Sequence, residues 1–180
     1  MGTAIGFIFF GVEFVFIILC LLAIVRTGFV RLESSIGLRR DGLPYGKTAP
    51  GWSLPDVEGR LRVTPAGDHW QLLIFADHSL ASFPDLVAEI NELFATNQEL
   101  EVIVLSHDDQ ELCEATVRVL DLRVPLVRVN QAFYERYRVR VMPFAFILDP
   151  LGKVQWVGLA NAYHLPYTWR LILAIHRESL

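Results

Sequence analysis

Two apolar runs in the middle of the chain constrain its fold more than any other feature. "WQLLIFA", residues 70–76, and "LEVIVLS", residues 100–106, each have the length and the apolar character of a strand buried on both faces. Between them, residues 83–95 have the period of an amphipathic helix. The apolar stripe of that helix consists of Leu86, Ile90, Leu93 and Phe94, and its polar face of Asp85, Glu89 and Glu92. The centre of the chain therefore predicts a buried sheet covered by helices.

The remaining sequence continues the alternation of strand and helix patterns. The further predicted strands are residues 60–64, 126–129, 143–149 and 154–158, and the further helices are residues 109–120, 131–137 and 166–177. The order β-β-α-β-α-β-α-β-β-α predicts an α/β fold in which a mixed central sheet has helices on both faces.

The N-terminal segment concentrates the apolar residues of a chain that is 53% hydrophobic. "AIGFIFFGVEFVFIILCLLAIV", residues 4–25, is apolar except for Glu13. A helix of this length spans about 33 Å, enough to cross the hydrocarbon core of a bilayer. No basic residue precedes Arg26 and no small-residue cleavage site follows the run, so the pattern predicts a retained membrane anchor.

The sequence thus divides into three predicted segments. Residues 1–33 contain the transmembrane helix and its juxtamembrane flank, residues 34–52 form a polar, glycine-containing linker, and residues 53–180 form the α/β domain. The lipid bilayer is one expected partner. Glu13 has two interpretations: contact with another membrane protein, or a position near the N-terminal membrane interface.

Composition and motifs give no support to several functional classes. The net charge is -4 and the basic residues form no stripe, which argues against nucleic-acid binding. The five histidines have no ligand-like spacing, so no metal site is predicted. No P-loop, dinucleotide fingerprint or G-x-S-x-G motif is present, and no cofactor is expected.

Three local signatures resemble the thioredoxin-like fold. "KTAPGWSLPDVEGR", residues 47–60, is similar to the redoxin entry A-P-x-x-x-L-x-D-x-x-G-R. "RYRVRVMPFAFILDPLGKV", residues 136–154, is similar to the segment that carries the cis-proline of the fold, with Pro143 at that position. "FADHSLASFPDL", residues 75–86, takes the place of the F-x-x-x-x-C-x-x-C motif. Almost the whole chain, about residues 5–175, resembles the membrane-anchored group that includes MauD and the TlpA-like proteins.

The turn that takes the place of this motif contains no cysteine. Counting from Phe75 as in the family puts Leu80 and Phe83 in the two cysteine positions, and a shift of one residue puts Ser79 and Ser82 there. Neither register supplies a thiol, and a serine hydroxyl cannot take part in thiol–disulfide exchange. The resemblance therefore covers the fold without its redox pair.

Other residues of this turn have ordinary structural interpretations. "SFPD", residues 82–85, is typical of a helix N-terminus, so Ser82 or Ser79 is interpreted as a helix cap. The alternative is that the two hydroxyls form hydrogen bonds at a partner-binding surface. Asp77 and His78 are interpreted as solvated loop residues rather than as an acid–base pair.

The two cysteines of the chain lie elsewhere. Cys20 falls in the predicted anchor and Cys113 in the predicted helix 109–120, so a disulfide between them is not expected. The acidic neighbours of Cys113 in the sequence, Asp109, Glu111 and Glu114, disfavour a thiolate. Cys113 is therefore interpreted as a structural cysteine.

These observations predict a redox-inactive protein that acts by binding, as an accessory or structural subunit of a membrane protein complex. No catalytic residue is assigned. Met142, Pro143 and Phe144, together with Phe83, are predicted to form part of the docking surface. Two alternatives stay open: a thiol–disulfide oxidoreductase that uses Cys113 with a cysteine of its partner, and a MauD-like maturation factor that holds a cysteine-containing client.

Two observations disagree about the side of the membrane on which the domain lies. The resemblance implies an extracytoplasmic, periplasmic domain. The arginines after the anchor, Arg26, Arg31, Arg39 and Arg40, favour the cytoplasm by the positive-inside tendency. The extracytoplasmic side is the expectation, because the resemblance uses the whole chain and the charge argument only a few residues.

Overall fold

A five-stranded sheet of mixed direction organises the described part of the chain. The computed structural model describes residues 41–160 and 165–177, without the side chains of residues 175–177. The strands are β1 Trp52–Pro55, β2 Leu61–Thr64, β3 Trp70–Phe75, β4 Leu100–Ser106, β5 Leu126–Arg128, β6 Phe144–Leu148 and β7 Val154–Leu159. The helices are α1 Phe83–Thr96, α2 Gln110–Val119, α3 Gln131–Tyr137 and α4 Leu165–Arg177.

The strand order of this sheet is β5-β4-β3-β6-β7. The first three of these strands are parallel to one another, whereas β6 runs antiparallel to β3, and β7 antiparallel to β6. The predicted mixed sheet is therefore present. The predicted strand 60–64 does not belong to it, because β2 pairs with β1 in a separate two-stranded sheet. The four-residue β1 was not predicted, since it is too short to show a pattern and ends in a proline.

The two faces of the sheet have different cores. Leu72 and Ile74 of β3 belong to a hydrophobic cluster that also includes residues of α1, α2 and α4. Phe75 points to the other face, where its ring lies 5.0 Å from that of Tyr134 and 5.2 Å from that of Tyr137, both in α3. Helices thus cover both faces, as the element order predicts.

Helix α1 departs from the predicted amphipathic pattern at two positions. Leu86, Ile90 and Leu93 are buried as predicted, but Phe94 is partly exposed. Glu89, predicted on the solvent face, is only 8% exposed. Helix α4 packs against α1, so α1 buries a wider strip than its apolar stripe alone indicates. The prediction for Glu89 is therefore wrong, because a single stripe cannot reveal a second helix contact.

The residues before β1 are attached to the sheet by backbone hydrogen bonds. The Gly46 N–H donates to the Val154 carbonyl over 2.8 Å, and the Val154 N–H donates to the Lys47 carbonyl over 2.9 Å. At Gly42, where φ is +81°, a Cβ would lie 2.6 Å from a methyl carbon of Val157. Only glycine fits this conformation and this approach. This stretch belongs to residues 34–52, which the sequence places in a linker.

The predicted anchor, residues 4–25 with Glu13, lies outside the described residues, as do residues 34–40 of the linker. Within the described ranges, no helix combines the length and the apolar character needed to cross a bilayer.

Candidate functional site

The turn after β3 and the loop before β6 lie at the same end of the sheet. Phe75, the last residue of β3, is in register with Phe144, the first residue of β6. The peptide bond between Met142 and Pro143, just before β6, is cis. β4 also ends here, because it runs parallel to β3. Open α/β sheets commonly bind ligands at the carboxyl ends of their parallel strands. We call residues 77–82, residues 106–108 and the Met142–Pro143 pair the strand-end site.

Asp77 organises the turn from within. Its Oδ1 accepts hydrogen bonds from the backbone N–H of Ser79 over 2.9 Å and from the Ser79 hydroxyl over 2.6 Å. This is the local side-chain-to-backbone bonding by which aspartate stabilises turns. The two bonds from Ser79 lower the pKa of the Asp77 carboxyl. The Ser79 hydroxyl is therefore engaged within the turn and does not cap α1.

Ser82 occupies the N-cap position of α1, but its side chain makes no capping hydrogen bond. Its backbone has helical angles, φ -84° and ψ -1°, whereas side-chain capping normally accompanies an extended N-cap residue. Pro84 lies in the first turn, where its missing N–H leaves one donor fewer to satisfy. The predicted cap by a serine hydroxyl is thus wrong, and the Ser82 hydroxyl is exposed at the surface.

The predicted site residues divide into exposed and buried groups. Ser79 and Ser82 are exposed, Leu80 is half-buried, and Phe83 is buried. Met142 and Pro143 are also half-buried, whereas Phe144 lies in a covered strand with its ring centroid 5.4 Å from that of Phe146. The docking surface expected from the sequence therefore excludes the rings of Phe83 and Phe144, because both contribute to the core.

His78 is not the solvated loop residue that the sequence predicts, since its side chain is only 4% exposed. Its Nδ1 lies 3.1 Å from Oδ2 of Asp108 and 3.2 Å from the hydroxyl oxygen of Thr116. The Ser106 hydroxyl donates to the same Asp108 oxygen over 2.7 Å. Sequence reasoning missed this cluster because its members come from three elements, and no spacing rule connects them.

The surroundings of His78 favour its neutral form. Burial lowers the pKa of His78 and outweighs Asp108 and Asp77, whose negative charges act in the opposite direction. A neutral ring with its proton on Nδ1 can donate to the Thr116 hydroxyl. Nε2 is then an acceptor, and it is buried without a hydrogen-bond partner in the described part of the chain. The ring also packs on Phe83, with centroids 4.8 Å apart.

Cys113, in α2, lies beneath the same end of the sheet. It is fully buried, with its sulfur 3.8 Å from the backbone oxygen of Asp108. Burial raises the pKa of the Cys113 thiol, and the charges of Asp108 and Asp109 add to this effect. The predicted direction is confirmed, although burial rather than acidic neighbours is the largest cause. Cys113 is thus a protonated, enclosed thiol without nucleophilic character.

We expect Cys113 to resist thiol reagents in the native protein. In a full-length Cys20→Ala variant, reaction of Cys113 with a disulfide reagent should be about 100-fold slower or more before denaturation than after it, because reaction requires local opening. The matched control moves the thiol to the neighbouring exposed position, Cys113→Ser with Glu114→Cys, which should react at once. Fast labelling of Cys113 in the native protein would contradict its assignment as a structural residue.

Two further features of the described residues concern metal binding and ligand cavities. Within the described ranges, no three His, Cys, Asp or Glu side chains are arranged to hold a metal ion. A cavity of about 280 Å³ lies near the amino ends of β4 and β5, away from the strand-end site. Its wall includes Val102, Pro125 and the ion pair between Arg62 and Asp56.

Comparison with solved structures shows the same fold in proteins of low sequence identity. The thioredoxin domain of a thiol-disulfide oxidoreductase from Bacteroides vulgatus has a TM-score of 0.64 and 14% identity, covering 72% of this chain and 99% of that one. A peroxiredoxin-like protein from Aquifex aeolicus has a TM-score of 0.63 and 17% identity over 74% and 89% of the two chains. A thiol-disulfide oxidoreductase from Bacteroides fragilis has a TM-score of 0.59 and 21% identity over 69% and 99%.

These similarities confirm the thioredoxin-like fold that the sequence predicts. At such identities the likeness concerns the fold alone. No protein-family model matches the chain, and no curated protein matches its sequence.

Proposed function

We propose that this protein is a redox-inactive, membrane-anchored thioredoxin-like protein that acts by binding, as an accessory or structural subunit of a membrane protein complex. One observation carries this proposal: the strand-end site combines the framework of the fold with the absence of a usable thiol. Ser79 and Ser82, or Leu80 and Phe83, stand where the cysteines would be. Cys113 is enclosed and protonated. Without a thiolate the site has no nucleophile for disulfide exchange.

The surface that remains at this site suits a protein partner. Leu80, Met142 and Pro143 are half-buried and provide apolar contact area, and Val141 beside them is exposed. The exposed hydroxyls of Ser79 and Ser82 provide a polar rim. An apolar centre with a polar rim is the usual anatomy of a protein interface.

The proposed anchor places this surface near a bilayer. A helix over residues 4–25 would tether the domain through the segment that precedes β1, and Glu13 would contact another membrane subunit or the membrane interface. We propose that the domain lies on the extracytoplasmic side. Protease digestion of intact spheroplasts tests this location, because a cytoplasmic domain would remain protected until the membrane is opened.

An insulin-reduction assay separates this function from an oxidoreductase. We expect the full-length protein to give no rate above background with dithiothreitol, since no described residue supplies a thiolate. A rate that disappears in the Cys113→Ala variant would overturn the proposal and establish the oxidoreductase alternative.

A native co-purification experiment tests the binding role directly. Full-length tagged protein is extracted in mild detergent, and the proteins that elute with it are compared between two variants. Met142→Glu at the strand-end site should reduce the recovery of partner subunits by about tenfold, as expected for a charge placed in an apolar interface. Leu151→Glu is the matched control, because Leu151 is exposed in the turn at the opposite end of β6. Equal recovery with both variants would exclude the strand-end site as the docking surface.

A further inference from the structure

We propose that His78 is an acid-sensitive latch: its hydrogen bond with Thr116 and its close contact with Asp108 hold the turn of residues 77–82 against α2 and the β4–α2 loop, and protonation of the imidazole releases that turn. The biological role of the latch rests on the proposed function, because the turn forms one side of the proposed docking surface. The opening itself is a property of the isolated protein.

The hydrogen bonds of the turn show why His78 alone can act as a latch. The Asp77–Ser79 bonds and the bond from the Leu80 N–H to the Asp77 carbonyl are internal to the turn. The bond from the Leu86 N–H to the Ser82 carbonyl continues into α1. Among the described residues, the 3.2 Å bond between Nδ1 of His78 and the Thr116 hydroxyl is the only hydrogen bond that ties residues 77–82 to α2. Nδ1 also lies 3.1 Å from Oδ2 of Asp108, in the loop after β4.

Protonation would give the His78 ring two N–H donors, whereas its surroundings provide an acceptor for only one of them. In the neutral ring, Nδ1 can donate to the Thr116 hydroxyl, and the buried Nε2 lacks a partner among the described residues. Adding a proton converts Nε2 into a buried N–H without an acceptor, and an unsatisfied buried donor is destabilising. Opening the turn would relieve this, since water can then accept from Nε2.

The charged and titratable groups around the ring come from three elements. Asp77 belongs to the turn itself, His107 and Asp108 belong to the loop after β4, and α2 contributes the hydroxyl of Thr116. Helix α1 presents only the ring of Phe83. The two carboxylates favour the imidazolium, whereas burial and His107 oppose it, and the pKa of His78 is lowered in total.

The direction of the switch follows from this lowered pKa. An open turn exposes His78 and returns its pKa towards the ordinary value of 6.5. Between the two pKa values the open form binds the proton and the closed form does not, so the closed form loses stability as the pH falls. Acid therefore favours the open turn. Opening would uncover the face of Phe83 that His78 now covers and would enlarge the apolar surface.

Hydrogen exchange of the full-length protein in mild detergent, without any partner, tests the latch. After correction for the intrinsic pH dependence of exchange, opening of residues 77–83 should increase as the pH falls from 7.5 to 5. One coupled proton limits the increase to about tenfold per pH unit. His78→Gln, which keeps a polar donor for Thr116 but cannot be charged, should abolish the pH response. His107→Gln, at the neighbouring exposed histidine, should retain it.

Two results would overturn the latch: a pH-independent exchange in the unchanged protein, or the same pH response in His78→Gln. Should that variant not fold, NMR titration of the unchanged protein decides, because the His78 ring and the turn amides should share one midpoint below 6.5. Separate midpoints contradict the proposal. Since no partner takes part, these outcomes are independent of the co-purification result.

Discussion

Replacing Glu89 by glutamine is expected to raise the free energy of unfolding by about 1–3 kcal/mol at pH 8 and to change it little at pH 4.5. The carboxyl group is buried where α1 meets α4, and neither oxygen has a well-formed hydrogen bond within the described part of the chain. Burial raises the pKa of Glu89 to about 7, although the backbone N–H of Leu165 acts in the opposite direction. Glutamine keeps the size of the side chain and removes the charge.

The pH dependence follows from the order of the two pKa values. In the unfolded chain Glu89 loses its proton near 4.5, and in the folded chain near 7. Between these values the folded protein holds one proton more, so stability falls as the pH rises. Above pH 7 the folded protein bears the full free-energy penalty of the buried Glu89 charge. The pKa of His78 is lowered, so its titration makes the folded protein less stable as the pH falls, opposite to that of Glu89. Acid opening of the turn at residues 77–82 therefore cannot be attributed to the titration of Glu89.

Urea unfolding of the full-length protein in mild detergent measures this effect. Tryptophan fluorescence reports on the domain, because all four tryptophans lie within the described residues. Glu92→Gln is the matched control, since Glu92 lies about one turn after Glu89 on the same helix but is exposed. The control should change stability by about 0.5 kcal/mol or less at either pH. A Glu89→Gln variant that is no more stable than the Glu92→Gln variant at pH 8 would show that the buried carboxyl carries no penalty.

Replacing Asp56 by alanine should lower the free energy of unfolding by about 2–4 kcal/mol. The Asp56 side chain is 2% exposed and accepts a 3.0 Å bond from Nε of Arg62. It also accepts bonds from the backbone N–H groups of Glu58 over 3.0 Å and of Arg60 over 2.8 Å. Alanine would leave the two turn donors and Nε of the mostly buried Arg62 without their acceptor, whereas Nη1 of Arg62 would keep its 3.4 Å contact with Glu101.

Glu58→Ala provides the matched control for Asp56→Ala. Glu58 lies in the same turn and forms an ion pair of 2.7 Å with Arg60, but the two side chains are 54% and 70% exposed. Exposed ion pairs contribute about 0–1 kcal/mol. Urea unfolding of both variants at pH 7 should therefore separate them clearly. Similar losses for the two variants would mean that the buried carboxylate does not hold the β1–β2 turn.

Several parts of the fold were predictable because their signal is local. β4 and α3 begin and end at the predicted residues, since long apolar runs and periodic stripes report burial directly. The aspartate of the redoxin-like entry motif, Asp56, has a structural reason: it organises the turn between β1 and β2. The position of Pro143 was also predictable from its neighbours in the sequence.

The candidate site was predictable only in outline. The sequence located the turn and showed that it lacks cysteines, but it misjudged the role of Ser82 and the burial of His78. A cap depends on the backbone angles of one residue, which the residue type does not determine. The burial of His78 depends on Asp108 and Thr116, which meet it only when β3, β4 and α2 come together.

The residues by themselves determined the class of fold and the absence of a redox pair, because hydrophobic periodicity and cysteine positions are properties of the chain. The tertiary structure decided which polar groups are taken out of water. Glu89 and His78 lie in stretches that are polar enough to be solvated, and only the packing of α4 and α2 buries them. Burial raises the free energy of an ionised side chain and so shifts its pKa. The pH responses expected here therefore arise from contacts between elements rather than from local sequence. "FADHSLASFPDL" thus shows in sequence that the thiols are missing, and in structure that its histidine is buried against Asp108 and Thr116.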